Sequence, residues 1–290
     1  MSQINLYYAV KQGLKLGRWR FRRALSTLRW GVEKRNNAPV VFANAMPKSG
    51  SHLIIQILHG LTKLGPFVNP GFPPVNRSED NRKLPPEAIL ANIQRLRPGD
   101  LGYGYIHAQE PFLSELIRPG VATLFVFRDP RDMIVSHVFY ATEIHKGHGM
   151  HQYYTQVLNT TEERINAQIL GVNDPGFELS PIRVKYEAYL GWLEQPEILC
   201  LRFEDLILDR DRSLSRLLDF LEEKGITTLV PRQKAIEELK RTIAPNRSGT
   251  FRKGKPGNWR EHFTTDNIAR FKETSGDLLL RMGFELDHDW

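Results

Sequence analysis

The sequence predicts an α/β domain whose central parallel sheet is flanked by helices. Three apolar runs, at 40–44, 121–127 and 198–203, have the length and composition of buried strands. Helical spacing of apolar residues appears between these runs, and strands that alternate with helices form a parallel sheet covered on both faces. The length of 290 residues and the hydrophobic content of 41% suit a globular chain of this class.

The first 36 residues are predicted to form a basic amphipathic arm, and residues 37–290 a single domain. Residues 1–35 carry nine Lys or Arg and one acid, Glu33, whereas the whole chain has a net charge of +7. The basic character therefore belongs to the arm, and nucleic acid is not an expected partner of the domain. A helical apolar stripe runs through the arm: Tyr7, Val10, Leu14, Gly17, Phe21, Leu25, Leu28 and Val32.

Two interpretations of that stripe remain open. Most apolar stripes pack on the same domain or on a partner. A basic amphipathic helix also suits a surface of acidic lipid, so peripheral membrane contact through residues 1–35 is the alternative.

The turn at 45–53 has the features of a P-loop-like phosphate cradle. It connects the first strand to a helix predicted from residue 53 to residue 64. Free N–H groups and the helix dipole both favour an anion at such a helix start. Lys48 adds a positive charge, and Ser49 and Ser51 add hydroxyl donors. Gly50 allows the backbone to approach the ligand closely.

The middle of the chain adds a loop, a strand and a short helix. The proline-rich segment 66–86 is predicted to be a long loop, and its length makes it a candidate to gate a substrate. Residues 102–108 are expected to form a strand that ends at His107. A short helix is expected at 113–117.

A second basic strand-to-helix junction follows the run 121–127. Asp129 can cap the next helix, Pro130 suits its first position, and Asp132 complements its amino end. The helix is predicted to continue to Ala141.

Residues 144–160 are expected to be irregular and hold His145, His148 and His151. Their spacing matches none of the usual zinc ligand patterns, so no metal is expected. Beyond this segment, a basic, glycine-rich loop at 248–259 can wrap an anion with backbone donors. Helices are predicted at 162–170, 181–193, 213–223 and 232–241, and from residue 264 or 265.

The sequence favours an intracellular, cytoplasmic protein. Cys200 is the only cysteine, which excludes an internal disulfide and fits a reducing compartment. No stretch is long and apolar enough to cross a bilayer, and the amino terminus lacks the apolar core of a secretory signal.

Three phosphate-suited elements in one chain indicate a ligand with more than one anionic group. The consensus G-x-x-x-x-G-K-[ST] of nucleoside triphosphate enzymes is not met, because Lys48 precedes Gly50. The combination instead resembles the PAPS-dependent sulfotransferases of the cytosolic, small-molecule type. Pro47-Lys48-Ser49-Gly50-Ser51 looks like the family's 5′-phosphosulfate loop, residues 128–136 look like its 3′-phosphate motif, and residues 252–264 look like its C-terminal signature.

The resemblance implies that PAPS is the sulfuryl donor and that 3′,5′-ADP is released. By matched position, the 5′-phosphosulfate is held by Lys48, Ser49, Gly50, Ser51 and His52. The 3′-phosphate is held by Arg128, Ser136, Arg252, Lys253 and Gly254, and Phe203 stands at a further nucleotide-contacting position. His107 falls at the family's catalytic histidine, with Lys48 and Ser136 as the other catalytic residues.

Four positions depart from the family pattern. Tyr105 replaces a lysine, Leu53 a tryptophan that often stacks on adenine, His52 a threonine and Phe203 a tyrosine. These departures fall at the adenine contacts and at part of the acceptor side.

The implied chemistry agrees with the residue types. His107, with an ordinary pKa near 6.5, would take the proton of the attacking hydroxyl or amine. Lys48 would neutralise charge on the leaving phosphate, and Ser136 would restrain Lys48 until the acceptor binds. Glu110 is an alternative base, and a sulfuryl group needs a divalent ion less than a phosphoryl group does.

The acceptor is expected to be a small molecule: a phenol, an alcohol, a nitrogenous compound or a glycolipid. Candidate acceptor contacts are Phe72, Glu110, Tyr140 and His145. A kinase of small molecules that uses Mg-ATP is the alternative enzyme. A nucleotide-binding or membrane-peripheral module without turnover is the non-enzymatic alternative.

Overall fold

The computed structural model describes residues 3–226, 230–244 and 253–290, with residues 3–12 described for the backbone alone. These ranges contain the strands β1 (Val40–Ala45), β2 (Leu101–Gly104), β3 (Val121–Phe127), β4 (Val172–Asp174), β5 (Phe177–Leu179) and β6 (Leu199–Arg202). Strands β2, β1, β3 and β6 form one sheet in that order, and every neighbouring pair is parallel. The predicted α/β class with a central parallel sheet is confirmed. Strands β4 and β5 form a separate antiparallel hairpin that the sequence did not predict.

The predicted helices are present with shifted ends, and the sequence analysis missed α4 and α9. The helices are α1 (Gln3–Trp30), α2 (Val32–Asn37), α3 (Ser51–Leu64), α4 (Pro86–Gln94), α5 (Phe112–Ile117), α6 (Pro130–Phe139), α7 (Thr161–Leu170), α8 (Ile182–Leu190), α9 (Phe203–Leu208), α10 (Arg210–Glu223), α11 (Arg232–Thr242) and α12 (Thr265–Arg281).

The prediction of an irregular segment at 144–160 was wrong in part. Two π-helical turns, Tyr140–Ile144 and Tyr153–Val157, bracket the histidine-rich stretch. Each is closed by a bond from an N–H to the carbonyl five residues earlier, His145 to Tyr140 at 2.8 Å and Leu158 to Tyr153 at 3.1 Å. Because π-helical spacing differs from the ordinary helical period, the apolar pattern did not reveal these turns.

Alternate residues of the central strands face two separate apolar layers. Along β3, which is buried throughout, Phe125 and Phe127 face a layer formed with α6, α7, α8 and α12. Leu124 and Val126 face the opposite layer, formed with α3, α10 and α11. A fully buried Leu, Ile or Phe side chain contributes about 1.5–3 kcal/mol to the free energy of folding. These layers therefore stabilise the sheet, and the polar residues at the strand ends are not needed for that purpose.

The strand order places a crevice at the carboxyl ends of β1 and β3. From β1 the chain passes through α3 to β2 on one side, and β3 lies on the other side of β1. Ligands of open α/β sheets bind where the strand order reverses in this way, outside the carboxyl ends. Lys48 and Arg128 each follow one of these two ends.

Strand β2 ends at Gly104, so the prediction that this strand continues to His107 was wrong. Beyond Gly104, side-chain amides replace the hydrogen bonds of the sheet. Asn44 bonds both the N–H and the carbonyl of Ile106, at 2.8 Å and 2.9 Å. Asn76 bonds both backbone groups of Tyr105, at 3.2 Å and 3.0 Å. The chain that carries His107 is therefore held above the sheet by two asparagines.

Segment 66–86 is an ordered connection along the outer edge of β2. The N–H of Val75 donates to the carbonyl of Tyr103 at 2.9 Å, and Val68 pairs with Asp100. The segment ends where α4 begins. Its predicted role in gating a substrate stays a prediction.

The arm forms α1 and α2, and α1 packs on the rest of the chain. Trp19 and Arg23 both bond the buried carboxylate of Asp100. None of the helices in the described ranges has the length and apolar character that a bilayer-crossing segment needs. The division of the chain at residue 36 stays a prediction.

Candidate active site

The turn between β1 and α3 presents unpaired backbone donors to the crevice. Lys48 and Gly50 have positive φ values of 65° and 89°, which fold the turn back over the start of α3. No side chain caps that helix start. The first N–H groups of a helix lack partners inside the helix, so those of Ser51 and His52 are available to an anion.

Gly50 is required by space as well as by backbone conformation. A Cβ atom at this position would lie 2.5 Å from Cδ2 of Phe203, far inside van der Waals contact. Phe203 is the first residue of α9, directly after β6, and its ring therefore packs against the turn. Only glycine permits both the left-handed backbone and this contact.

Arg128 packs on the same ring. Its Cζ is 4.5 Å from the centroid of Phe203, and Nη1 lies 3.4 Å from the carbonyl oxygen of Lys48. The sheet register explains this arrangement, because Phe127 pairs with Arg202 and the next residues of both strands are adjacent. Phe203 thus joins the cradle to the β3 junction.

The helix that follows Arg128 begins as the sequence predicts. The carboxylate of Asp129 accepts from the N–H of Arg131 at 2.9 Å, and Pro130 occupies the first turn. Arg131 turns away from the crevice, since its guanidinium pairs with Asp129 and Glu285. Arg131 therefore has a structural role, whereas Arg128 faces the site.

The described end of the C-terminal basic loop, residues 253–259, is fixed to this junction through Asp132. One carboxylate oxygen accepts from the N–H of Gly257 and the other from that of Trp259, both at 2.8 Å. Lys253 pairs with Glu261 at 3.1 Å, and Lys253 and Lys255 together lower the pKa of Glu261 to about 2. Arg252 lies outside the described residues, whereas Gly254 is described and has a φ of 59°.

Lys48 is a half-buried cation without a carboxylate partner among the described residues. Burial and the neighbouring charge of Arg128 lower its pKa to about 8. Its Nζ lies 3.6 Å from the centroid of the Tyr140 ring, whose π face stabilises the charged form. Tyr140 in turn stacks on His145, with centroids 5.4 Å apart.

His107 is exposed to solvent at the edge of the crevice. Its ring meets Tyr189 edge to face, with centroids 4.9 Å apart. Partial desolvation and the charge of Lys83 lower the pKa of His107 below its ordinary value. Two residues earlier, the hydroxyl of Tyr105 lies 3.1 Å from Oγ of Ser51, so this segment is bonded directly to the cradle.

The remaining candidates lie in different surroundings. Ser136 is half-buried on α6, and no side-chain hydrogen bond to Lys48 is present among the described residues. His52 is exposed, but partial desolvation of its ring and the charge of Lys48 lower its pKa. Glu110 accepts from the hydroxyl of Ser114 at 2.7 Å.

Phe72 belongs to a different part of the surface from Tyr140 and His145. It contacts Trp19 edge to face at 5.4 Å, and Arg95 lies 3.9 Å above its ring. Phe72 lines a cavity of about 450 Å³ between α1, the 66–86 segment and α4. The predicted acceptor contacts are therefore divided between two clusters.

Sequence reasoning missed the supporting residues of the site. Tyr186, fully buried on α8, donates to the carbonyl oxygen of Arg128 at 3.0 Å. Glu204 accepts from the N–H of Asp129 at 3.1 Å, and burial raises the pKa of Glu204 to about 7. Glu204 could have been found from the sequence, because it directly follows Phe203, a predicted nucleotide contact. Nothing in the sequence indicated Tyr186.

The histidine-rich stretch makes local hydrogen bonds. Nδ1 of His148 accepts from the N–H of Met150 at 3.1 Å, and His151 bonds the carbonyl of Ala141 at 2.8 Å. Across the described ranges, no group of three or more His, Cys, Asp or Glu side chains is arranged to hold a metal ion.

The geometry resembles that of known proteins at the level of the fold. The chain matches the crystal structure of mouse sulfotransferase SULT7A1 complexed with PAP, with a TM-score of 0.58, 15% identity and 84% of each chain covered. It also matches a retinol dehydratase in complex with androsterone and inactive cofactor PAP, with a TM-score of 0.52, 16% identity, and 85% of this chain and 83% of that one covered.

Sequence comparison gives the family. Flavonol 3-sulfotransferase of Flaveria bidentis is 26% identical over 190 residues, and the match spans 56% of this chain and 56% of that protein. The chain thus matches only about half the length of this curated relative. The family model described as the sulfotransferase domain matches residues 107–283, which is more than half of the chain. The chain belongs to the sulfotransferase domain family.

Proposed function

We propose that this protein transfers the sulfuryl group of PAPS to a hydroxyl or amine of a small molecule and releases 3′,5′-ADP. One observation carries the proposal: Lys48 and Arg128 follow adjacent strand ends, and Nη1 of Arg128 lies 3.4 Å from the carbonyl oxygen of Lys48. The two cations suit a nucleotide with anionic groups at separate positions. The two solved structures named above are both complexes with PAP, which supports the same ligand here.

The donor set fits such a nucleotide. Oγ of Ser49 and Nε of Arg128 are buried, and neither has a hydrogen-bond partner among the described residues. A buried polar atom without a partner is destabilising by about 1–3 kcal/mol, so both atoms favour a ligand that bonds them. Ser49, Ser51 and the first N–H groups of α3 would hold the 5′ end, with Arg128, Lys253 and Gly254 at the 3′-phosphate.

The chain's own residues divide the chemistry between them. When bound, PAPS supplies the sulfuryl group and the leaving phosphate. His107 accepts the acceptor's proton at a ring nitrogen, and its lowered pKa keeps that nitrogen unprotonated near neutral pH. Lys48 stabilises negative charge that develops on the phosphate side, and Tyr140 holds the ammonium group against the site.

His107 is a better candidate base than Glu110. The Glu110 carboxylate bonds the hydroxyl and the N–H of Ser114 at the start of α5. A carboxylate engaged in this way stabilises a helix start. Ser136 keeps its proposed role near the 3′-phosphate, and its restraint of Lys48 needs a rearrangement from the present geometry.

We propose a small acceptor that carries a ring hydroxyl. The named relative acts on a flavonol, and the retinol dehydratase structure contains androsterone. The stacked rings of Tyr140 and His145 beside Lys48 would pack on a planar or alicyclic body. Such an acceptor would reach His107 with its hydroxyl directed at the cradle.

Calorimetric titration tests the nucleotide assignment. We expect 3′,5′-ADP to bind without a metal, Arg128→Ala to weaken this binding at least about tenfold, and labelled PAPS to transfer label to phenols or steroids. Arg202→Ala is the matched control, because Arg202 bonds carbonyls near the C-terminus. Preference for Mg-ATP over 3′,5′-ADP would refute the proposal and favour the kinase.

A further inference from the structure

Helix α1 has two faces with different surroundings, and one is fixed to the domain. The indole N–H of Trp19 donates to the Asp100 carboxylate at 3.1 Å, and Arg23 pairs with the same group at 2.6 Å. Arg22 donates to the carbonyl of Asn69 at 2.8 Å. Because the Asp100 side chain is completely buried, these contacts set the rotation of α1 about its axis.

The opposite face is apolar and uncovered. In the described part of the chain, ten large hydrophobic side chains are exposed, and five of them lie on α1 and the start of α2. The spacing of the four on α1 places them on one side of the helix. Their exposed fractions are high: Leu14 59%, Phe21 64%, Leu25 49%, Leu28 84% and, on α2, Val32 59%.

Cations border this apolar face. By helical periodicity Arg18 and Arg29 lie along one flank and Arg20 along the other, and all three are exposed. Helix α1 contains no Asp or Glu. A second copy of the helix would therefore place arginine against arginine without an opposing charge, which disfavours pairing of this face with itself.

We propose that this face of α1 docks on a lipid surface that carries negative charge. An exposed apolar stripe bordered by arginine is the pattern of helices that lie in the membrane interface, with apolar side chains in the acyl boundary and cations at the phosphates. Since the other face is pinned through Asp100, docking would hold the whole domain in one orientation at the membrane. The inference is independent of the proposed enzymatic function.

Sedimentation of the full chain with vesicles tests the inference. We expect binding to vesicles of phosphatidylcholine mixed with phosphatidylserine, weaker binding to phosphatidylcholine alone, and a decrease with added salt. Phe21→Glu combined with Leu28→Glu should weaken binding to the anionic vesicles at least about tenfold. Arg18→Ala and Arg29→Ala should each weaken it about fivefold.

Leu208→Glu is the matched control, because Leu208 is 75% exposed but lies at the end of α9. It should leave vesicle binding unchanged, and thermal unfolding of each variant reports that the chain is folded. The inference is overturned if the anionic vesicles do not bind the protein, or if the double variant binds as well as Leu208→Glu. It is also overturned if light scattering shows a dimer that the double variant dissociates, since a second copy would then cover this face.

Discussion

The carboxylate of Asp132 accepts a hydrogen bond from the backbone N–H of Trp259 at 2.8 Å, across 127 positions of sequence. Its second oxygen accepts from Gly257 at 2.8 Å and lies 3.4 Å from Nη2 of Arg128. One buried carboxylate thus sets the distance between the β3 junction and residues 257–259 of the C-terminal basic loop. Both proposed 3′-phosphate elements depend on it.

Asp132→Asn should weaken both folding and nucleotide binding. The amide retains one acceptor oxygen, so one backbone N–H loses its partner, and the free energy of unfolding should fall by about 1–3 kcal/mol. The dissociation constant of 3′,5′-ADP should rise about tenfold, which corresponds to about 1.4 kcal/mol. Calorimetry and urea denaturation measure the two effects.

Asp219→Asn is the control for Asp132→Asn. Asp219 is exposed on α10 and pairs with Arg232 at the surface. Removing its charge should change neither quantity appreciably, because exposed ion pairs contribute about 0–1 kcal/mol. If Asp132→Asn bound 3′,5′-ADP normally, the basic loop would not need this anchor.

The sequence allowed the strands of the central sheet and the two basic junctions to be predicted, because both signals are local. Continuous apolar runs mark buried strands, and Asp129-Pro130 marks a helix start wherever it occurs. The contact of Phe203 with Gly50 and Arg128 depends on strand order, which local spacing does not contain.

The end of β2 was misplaced because the amides of Asn44 and Asn76 take over its backbone hydrogen bonds. Nothing in the sequence links those two residues to Tyr105 and Ile106.

Gly50→Ala should destabilise the protein more than Gly120→Ala does. Both glycines have similar positive φ values, 89° and 82°, so the backbone strain of alanine is comparable. Only at Gly50 would the added Cβ meet Phe203. The difference in the free energy of unfolding, measured in urea, should be about 1–3 kcal/mol.

The variant Phe203→Leu supplies a second comparison for Gly50. In the Phe203→Leu background, Gly50→Ala should be less destabilising than in the native chain, since the clash is relieved and neighbouring substitutions are not additive. Equal losses at Gly50 and Gly120 would mean that Phe203 moves freely.

Tyr140→Leu should lower kcat/KM by about 2- to 30-fold, while Tyr140→Phe should stay close to the native enzyme. The ring of Tyr140 lies 3.6 Å from Nζ of Lys48, and a partly desolvated cation–π contact contributes about 0.5–2 kcal/mol. Phenylalanine keeps the ring face and leucine does not. If both variants were impaired to the same extent, the hydroxyl rather than the ring would be the important group.

His107→Ala should abolish most turnover without loss of nucleotide affinity. Removal of a general base lowers kcat by about 10²–10⁴, and the exposed ring makes no contact that holds the cradle together. Stopped assays with labelled PAPS measure the rate, and calorimetry with 3′,5′-ADP measures the affinity. His59→Ala is the control, because His59 bonds Asn69 away from the crevice.

Near-normal turnover of His107→Ala would show that another group takes the proton. Glu110→Gln distinguishes the remaining possibility. It should have little effect if Glu110 only bonds Ser114 in the first turn of α5, and it would become the inactive variant if Glu110 were the base.

The pH profile of kcat/KM should have two limbs, each set by one residue of the free enzyme. His107 acts as a base only when neutral, and its pKa is lowered from 6.5, so the rate should rise with pH below about 6.5 and then level off. Lys48 acts only when charged, and its pKa is about 8, so the rate should fall as pH rises through about 8.

Lys48→Arg keeps its charge across this range and should remove the alkaline limb while leaving the acidic limb in place. Bound anion raises the pKa of Lys48, so kcat at saturating PAPS should fall at a higher pH than kcat/KM. An alkaline limb that persists in Lys48→Arg would assign it to a different group and leave Lys48 without the proposed role in charge neutralisation.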